Sequence, residues 1–159
     1  MKYYMLSMIA SDAQISALAF HPGNSMAVTS SFGGDFKVWI HTLNNPLEGP
    51  VHQKSGWRCQ SVGSYKKIPM TAAKFSADGS VLAVAAASVI TLWDPDRNAL
   101  IAVIGNTIDP INALAFIPKT EYVVSLSRGP KPQLAVWNLS NMSMHWSYKI
   151  SAEGKLIPA

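Results

Sequence analysis

The chain has 159 residues, of which 48% are hydrophobic and only 14% are charged, so its composition is that of a globular protein and not of a disordered one. Its formal net charge of +4 is compatible with a nucleic-acid partner, but the thirteen Lys and Arg residues are scattered, and no run is longer than the Lys66-Lys67 pair. Cys59 is the single cysteine, which excludes an internal disulfide and favours a reducing compartment.

The first eleven residues combine one lysine with a short apolar run and small residues, a pattern that resembles a signal peptide. The run is interrupted by Ser7, and a strand pattern begins at Ile15, so cleavage near Ala10 would fall almost against folded structure. We therefore expect Met1–Ser11 to form an outer strand of a preceding repeat unit. No window approaches the roughly 18 apolar residues that a membrane span needs, so we expect no membrane segment.

Three short strands then follow one another. Ile15–Phe20 leads through a His-Pro-Gly-Asn-Ser turn to Met26–Ser30, and Phe32–Asp35 turns the chain into Phe36–Ile40. A phenylalanine closes the first strand, and Trp39 stands near the end of the third.

A loop insertion and an outer strand separate this unit from the next. His41–Gly56 contains two prolines and two glycines, which predicts a loop insertion over 41–56. Trp57–Val62 alternates residue types as a half-exposed outer strand does, and Gly63–Pro69 turns the chain back inward.

Thr71–Asp94 contains the clearest copy of the three-strand pattern. Thr71–Phe75 ends in a bulky phenylalanine, Ser76–Ser80 supplies turn residues, and Val81–Ala85 completes a hairpin. Val89–Trp93 is so rich in β-branched and aromatic residues that we expect it to be buried on both faces.

A third copy occupies most of the remaining chain. Its strands are predicted at Ile111–Phe116, Tyr122–Leu126 and Leu134–Asn138. Leu100–Ile104 and Met144–Ile150 are predicted as the outer strands that follow the second and third copies. The polar tail that comes last is expected to enter a following unit.

Each copy places a phenylalanine at the end of its first strand and a tryptophan at or near the end of its third. These pairs are Phe20 and Trp39, Phe75 and Trp93, and Phe116 and Trp137. A recurrence of about 40–45 residues with a Trp-Asp ending resembles the WD repeat, whose unit is one four-stranded β-propeller blade. The resemblance implies an all-β fold, an incomplete β-propeller of about three WD-repeat blades at 15–63, 71–105 and 111–150 within one domain over 1–159. The six aromatic residues would be structural, with the tryptophans packing between blades.

Residue types that perform catalysis or bind metals do not form a pattern in this sequence. The four histidines are not spaced as a pair of metal ligands would be, and the lone cysteine has no second cysteine nearby in the sequence. The histidines are His21, His41, His52 and His145. Asp78-Gly79-Ser80 lies in a turn where the other copies hold Gly23-Asn24-Ser25 and Lys119-Thr120-Glu121, an interchange that suits a turn and not a catalytic carboxylate. We therefore expect no enzyme activity, no bound metal and no cofactor.

One basic surface is a candidate contact site. Arg58, Tyr65, Lys66 and Lys67 combine positive charge with an aromatic ring around the outer strand and its turn. Such a surface suits contact with RNA phosphate or with an acidic partner. The alternative is the solvated edge of a blade, because cationic surface residues are common.

Several segments look like a repeat of the WD repeat-containing protein 75 family. They are Gly56–Cys59, Val62–Tyr65, Phe75–Val84 and Ile90–Asp94, together with Ala27–Phe32 running into Phe36–Trp39. The resemblance covers roughly residues 15 to 104, and the outer strand with its Trp-x-Cys and Val-Gly-Ser-Tyr is more specific than the general blade pattern.

This resemblance implies a non-catalytic scaffold of the nucleolar small-subunit processome, which supports the transcription and processing of precursor ribosomal RNA and the maturation of small-subunit ribosomal RNA. Members of the family carry two propellers, and this chain would be part of the second. The implied partners are other ribosome-biogenesis scaffold proteins, precursor ribosomal RNA or small nucleolar RNA, and the remaining blades of the propeller. Two alternatives are a general WD-repeat interaction scaffold of another intracellular complex and a propeller enzyme, against which the lack of clustered acid and base residues argues.

The sequence departs from the common WD pattern in its polar residues. Many WD repeats have a Gly-His dipeptide before the first strand and an aspartate at a fixed distance before the tryptophan, and these form a buried hydrogen-bonded network. Here the aspartate positions hold Gly33, Ala87 and Lys131, and no Gly-His dipeptide occurs. We therefore expect the blades to rely on apolar packing and backbone ladders alone.

Overall fold

The computed structural model describes residues 14–42 and 56–158. In this part of the chain the regular structure is formed by thirteen β-strands in three antiparallel sheets, which confirms the predicted all-β fold. Over the same ranges, no helix has the length and apolar character needed to cross a membrane. The predicted outer strand at Met1–Ser11, most of the loop insertion at His41–Gly56, and His52 lie outside the described residues.

In each sheet the strands follow one another in chain order and pair with their nearest neighbours. The first sheet consists of β1 (Ile15–Phe20), β2 (Met26–Ser31), β3 (Asp35–His41) and β4 (Trp57–Ser64). The second sheet consists of β5 (Met70–Phe75), β6 (Leu82–Ala86), β7 (Val89–Asp94) and β8 (Ala99–Ile104). The third sheet consists of β9 (Ile111–Phe116), β10 (Tyr122–Ser127), β11 (Gln133–Asn138), β12 (Ser143–Ile150) and β13 (Leu156–Pro158).

The first strands of the three sheets lie side by side. β1 contacts β5, β5 contacts β9, and the three strands line a shared cleft of about 230 Å³. The hydroxyl of Thr71 on β5 also donates a hydrogen bond to the backbone carbonyl of Ile111 at the start of β9. Sheets arranged around adjacent inner strands are the blades of a β-propeller, so the three sheets form a partial β-propeller.

Two apolar layers hold the sheets together. Neighbouring residues of a strand point to opposite faces, and β6 therefore contributes to both layers. Leu82 and Val84 lie in the layer between the first and second sheets, together with Phe36 of β3. Ala83 and Ala85 lie in the layer between the second and third sheets. All five side chains are fully buried.

The strand that was predicted to be buried on both faces is β7. Ile90 and Leu92 pack in the layer against the third sheet, whereas Trp93 packs in the layer against the first. Thr91, on the same face as Trp93, is also fully buried. The prediction is therefore confirmed, and β7 is a central strand because both of its faces are covered.

A register irregularity recurs at the same place in all three sheets. The pairing of the third strand with the fourth shifts immediately before Trp39, Trp93 and Trp137. An irregularity of this kind increases the local twist of a strand and changes the direction of the side chain beside it. It therefore gives the three tryptophans the same orientation relative to their sheets.

The C-terminal tail differs from the prediction that Ser151–Ala159 enters a following unit. After β12 the chain turns, with the amide of Gly154 donating to the carbonyl of Ser151 at 2.9 Å, and Gly154 has a φ of 78°. β13 then pairs antiparallel with β12, from Ile150 opposite Leu156 onward. The prediction was wrong because the outer edge of β12 offers unpaired backbone groups that this short segment can satisfy.

Candidate functional site

The basic turn between β4 and β5 is held in a fixed conformation. Lys66 and Lys67 both have positive φ, 52° and 53°, and the amide of Ile68 donates to the carbonyl of Tyr65 at 3.0 Å. Two successive central residues with positive φ are the geometry of a type I′ turn, which favours Asn and Gly over lysine. The backbone therefore presents two exposed ammonium groups from a strained turn.

The first sheet holds this turn through a close backbone approach. A Cβ on Gly34 would lie 2.6 Å from the carbonyl oxygen of Lys67, so only glycine fits there. The hydroxyl of Ser64 also donates to the carbonyl of Gly34 at 2.9 Å. Tyr65 is half-buried against the apolar layer between the first two sheets, and its ring centroid lies 5.2 Å from the Nζ of Lys66. The side chain of Tyr65 thus anchors the turn to this apolar layer.

The structure does not bring all four predicted contact residues together. Arg58 is near the start of β4, opposite Ile40 of β3, whereas Tyr65 follows the end of β4. At about 3.3 Å per residue, the strand carries Arg58 roughly 20 Å from Tyr65. The candidate surface is therefore the turn formed by Tyr65, Lys66 and Lys67, and its contact with RNA or an acidic partner stays a prediction.

Replacing the two lysines with the residues that a type I′ turn prefers should stabilise the chain. We expect Lys66→Asn with Lys67→Gly to raise the free energy of unfolding by about 0.5–1 kcal/mol, because the positive-φ strain is relieved. Urea denaturation followed by tryptophan fluorescence measures this change. Lys149→Gly, in β12 where Lys149 pairs with Gln133 of β11, is the control and should destabilise. A loss of stability in the double variant would contradict the assigned turn geometry.

Each sheet contains a buried hydrogen bond from an indole N–H to a hydroxyl. Trp39 donates to Thr29 at 2.9 Å, and Trp137 donates to Ser125 at 2.9 Å. Trp93 donates to Thr91 at 2.8 Å. The prediction that the blades rely on apolar packing and backbone ladders alone was therefore wrong, because a buried indole N–H needs an acceptor and each sheet supplies one.

These acceptors could not be recognised in the sequence because their spacing from the tryptophan is not constant. In the first and third sheets the hydroxyl lies on the second strand, two residues beyond the partner of the tryptophan. In the second sheet Val84 occupies that position. Thr91 of β7 supplies the hydroxyl instead, and it also donates to the carbonyl of Val84 at 2.7 Å. The register of the strands, and not a fixed motif, identifies the acceptor.

The tryptophans differ in what they pack against. Trp93 meets the ring of Phe36 from the first sheet, with 4.8 Å between ring centroids in an edge-to-face arrangement. Trp137 packs in the layer shared with the second sheet. Trp39 instead clusters with Trp57 of its own sheet, on the face turned away from the second sheet. Two of the three tryptophans thus connect neighbouring sheets.

The three phenylalanines also differ in whether they lie between two sheets or on the outward face of the first sheet. Phe75 is buried in the layer between the first and second sheets, and Phe116 packs against the layer between the second and third. Phe20 is 36% exposed, and its ring lies 6.1 Å from that of Trp57. Its larger exposure follows from its position on the outward face of the first sheet.

Asp78 has the turn role that its sequence position suggested. Its Oδ1 accepts hydrogen bonds from the amide of Ser80 at 3.0 Å, from the hydroxyl of Ser80 at 2.7 Å, and from the hydroxyl of Ser76 at 2.8 Å. These bonds, above all the backbone amide, lower the pKa of Asp78 to about 2. The exposed carboxylate is therefore ionised at neutral pH.

His21 is also part of a turn. Its Nδ1 accepts hydrogen bonds from the amides of Gly23 at 3.0 Å and Asn24 at 2.9 Å. Over the ranges 14–42 and 56–158, no three His, Cys, Asp or Glu side chains are grouped so that they could hold a metal ion.

His145, in β12, lies in a row of rings between Tyr122 and Trp146, with centroid separations of 5.2 Å and 5.0 Å.

Comparison with known proteins identifies the family of this chain. Residues 4–155 match the model of the WD repeat-containing protein 75 second beta-propeller. The chain is 34% identical to mouse WD repeat-containing protein 75 over 145 residues, which is 88% of this chain and 17% of the mouse protein. It is 34% identical to the human protein over 125 residues, which is 78% of this chain and 15% of that protein. The chain therefore spans about a sixth of the length of these relatives.

Two solved structures have a fold similar to that of this chain. The WD40 repeats of RRP9 superpose with a TM-score of 0.68 at 18% identity, over 87% of this chain and 39% of that chain. U3-55K superposes with the same TM-score of 0.68 at 18% identity, over 87% of this chain and 40% of that chain. These structures support the WD40 fold, and the match over residues 4–155 shows that the chain belongs to the WD repeat-containing protein 75 family, as part of its second β-propeller.

Proposed function

We propose that the chain is a non-catalytic part of a nucleolar WD-repeat scaffold that supports the transcription and processing of precursor ribosomal RNA and the maturation of small-subunit ribosomal RNA. The observation that carries this proposal is the family match over residues 4–155. The proposed partners are other ribosome-biogenesis scaffold proteins, precursor ribosomal RNA or small nucleolar RNA, and further blades of the same propeller.

The geometry of the basic turn supports a binding role. Lys66 and Lys67 are exposed, yet their backbone is fixed by the approach to Gly34. A surface that is already ordered loses little conformational freedom when a partner binds, and this lowers the cost of association. Two neighbouring ammonium groups also suit a phosphate backbone or an acidic segment. We propose this turn as one contact of the scaffold.

Localisation and co-purification test the proposal. The full-length protein that contains this chain should, when tagged, lie in the nucleolus and co-purify small-subunit ribosomal RNA precursors. Lys66→Glu with Lys67→Glu should lower the amount of co-purified precursor, because two positive charges become negative. Lys149→Glu with Lys155→Glu, a matched pair of exposed lysines in the third sheet and its tail, should not. A tagged protein outside the nucleolus without these precursors would favour a scaffold of another complex.

A further inference from the structure

The turns at one end of the propeller form two equivalent grooves between neighbouring sheets, and the first groove is filled. His21, which follows β1, packs edge-to-face on Phe75 at the end of β5, with 5.3 Å between ring centroids. The same ring covers Gly79, where a Cβ would lie 2.0 Å from its Nε2. Its Nδ1 is held by the two turn amides. The first groove thus accommodates a planar ring because Gly79 has no Cβ.

The second groove lacks the equivalent ring. Alignment of the repeats through their phenylalanines places Ser76, directly after Phe75, at the position of His21. Ser76 stays within its own turn, because its hydroxyl donates to Asp78 and accepts from the amide of Val81 at 3.0 Å. A small side chain there leaves a cavity of about 500 Å³ between the second and third sheets. This volume lies within the range of about 300–1,000 Å³ that is usual for binding pockets.

The open groove has an apolar floor and a rim with net negative charge. Val81, Phe116, Ile117 and Leu139 contribute apolar surface. The charged side chains of the rim are two carboxylates, Asp78 and Glu121, and one ammonium group, Lys119. The groove is therefore locally acidic in a chain whose formal net charge is +4. Its electrostatics favour a cationic occupant and disfavour a nucleic-acid strand.

We propose that this groove binds a short extended segment of a partner protein, which inserts one aromatic or aliphatic side chain beside Phe116 and places a Lys or Arg next to Asp78. The inserted side chain packs on Phe116 as the ring of His21 packs on Phe75, but it lies farther from the turn because Thr120 stands where the first groove has Gly79. The cation complements the acidic rim. The inference deepens the proposed scaffold function by assigning a class of partner to one surface. Failure of the peptide-binding inference can be distinguished from failure of the proposed scaffold function, because a binding assay on this chain does not depend on any measurement of ribosomal RNA.

Fluorescence anisotropy with labelled peptides tests the inference. The probes are three fluorescein-labelled hexapeptides with Gly-Ser flanks and a central Phe-Arg, Phe-Glu or Ala-Arg dipeptide, added to the 159-residue chain. We expect the Phe-Arg peptide to bind more tightly than the other two, because only it supplies both the ring and the cation. Equal affinities for the three peptides, or tighter binding of a labelled oligouridine, would overturn the proposal.

Variants of the chain locate the binding site. Ser76→His, which imitates His21, should fill the groove and weaken binding of the Phe-Arg peptide by about tenfold or more. Asn106→His, in an exposed loop after β8, controls for the added histidine and should bind as the parent chain does. Asp78→Asn should reduce affinity by about threefold, as expected for an exposed ion pair.

A further variant keeps the test decisive if Ser76→His does not fold. Ile117 is 39% exposed, so Ile117→Lys leaves the apolar layers intact while it places a positive charge in the groove. We expect this variant to lose binding of the Phe-Arg peptide. Unchanged binding in Ile117→Lys, or in a folded Ser76→His, would show that the peptide binds elsewhere and would overturn the proposal.

Discussion

Phe36→Ala is expected to lower the free energy of unfolding by about 3–5 kcal/mol, the range for removal of a buried aromatic side chain. Phe36 is fully buried between the first and second sheets and contacts Trp93 from the neighbouring sheet. Its loss leaves a cavity in the layer that joins two blades. Total stabilities are only about 5–15 kcal/mol, so this single change removes a large part of the margin.

Urea denaturation at fixed protein concentration measures the effect, with Phe32→Ala as the matched control. Phe32 is 45% exposed, so its replacement should change stability by no more than about 0.5 kcal/mol. If the two variants had the same stability, Phe36 would not join the sheets as the structure indicates.

The position of Gly63 provides an internal check on this packing. Gly63 is the cross-strand partner of Phe36, and a Cβ there would lie 2.1 Å from the Cζ of the ring. We therefore expect Gly63→Val to destabilise the parent chain by about 1–3 kcal/mol through overpacking. The same change should cost less in the Phe36→Ala background, because the ring is gone and the two positions are coupled. Additive effects would contradict the contact.

Self-association of the 159-residue chain is the second large effect that we expect. Propellers close with about four to eight blades, whereas three leave open faces and edges. On the third sheet, a row of apolar residues crosses the face turned away from the second sheet, running from Val124 through Val136 to Trp146. Trp146 is 53% exposed. Such a face buries its apolar surface when a second molecule covers it.

Sedimentation velocity at micromolar concentration measures this property. The parent chain should sediment faster than a monomer, and Trp146→Glu should shift it toward the monomer because a charge is costly within an apolar contact. Ile101→Glu is the control, since Ile101 is 51% exposed on β8, away from this face, and should change nothing. A monomeric parent chain with a cooperative melt at high temperature would contradict the expectation.

The repeat pattern of the sequence was sufficient to predict β1 to β12, but not β13, which pairs with the edge of β12. Alternation and turn residues in Thr71–Asp94 indicate a blade, and the recurring Phe and Trp positions extend it to three copies. These features are local, because each depends on residues within one strand or one turn. The buried strand Val89–Trp93 could be predicted for the same reason, since its composition alone excludes an exposed face.

Features that depend on strand register could not be predicted. Thr29 and Thr91 both accept a hydrogen bond from an indole N–H. Thr29 lies on β2, one strand before Trp39, whereas Thr91 lies on the same strand as Trp93. Lys66 and Lys67 suggested a basic surface, but their positive φ belongs to a turn that packs closely on Gly34, which is distant in sequence between β2 and β3. Tertiary contacts of this kind override the local preference of a residue.

The open groove could be recognised only by comparing two corresponding positions in the structure. Ser76 looks like an ordinary turn residue in the sequence, and only its comparison with His21 in the neighbouring groove shows that a ring is absent there. The cavity follows from the difference between two equivalent positions, which neither residue reveals by itself.

The proposed role is tested most directly by the ratio of precursor to mature small-subunit ribosomal RNA after depletion of the full-length protein that contains this chain. We predict that precursors accumulate and mature small-subunit RNA falls. Re-expression of the parent protein or of Phe32→Ala should restore the ratio, whereas Phe36→Ala should not, because it disrupts the packing between blades. An unchanged ratio after complete depletion would contradict a role in small-subunit ribosomal RNA maturation.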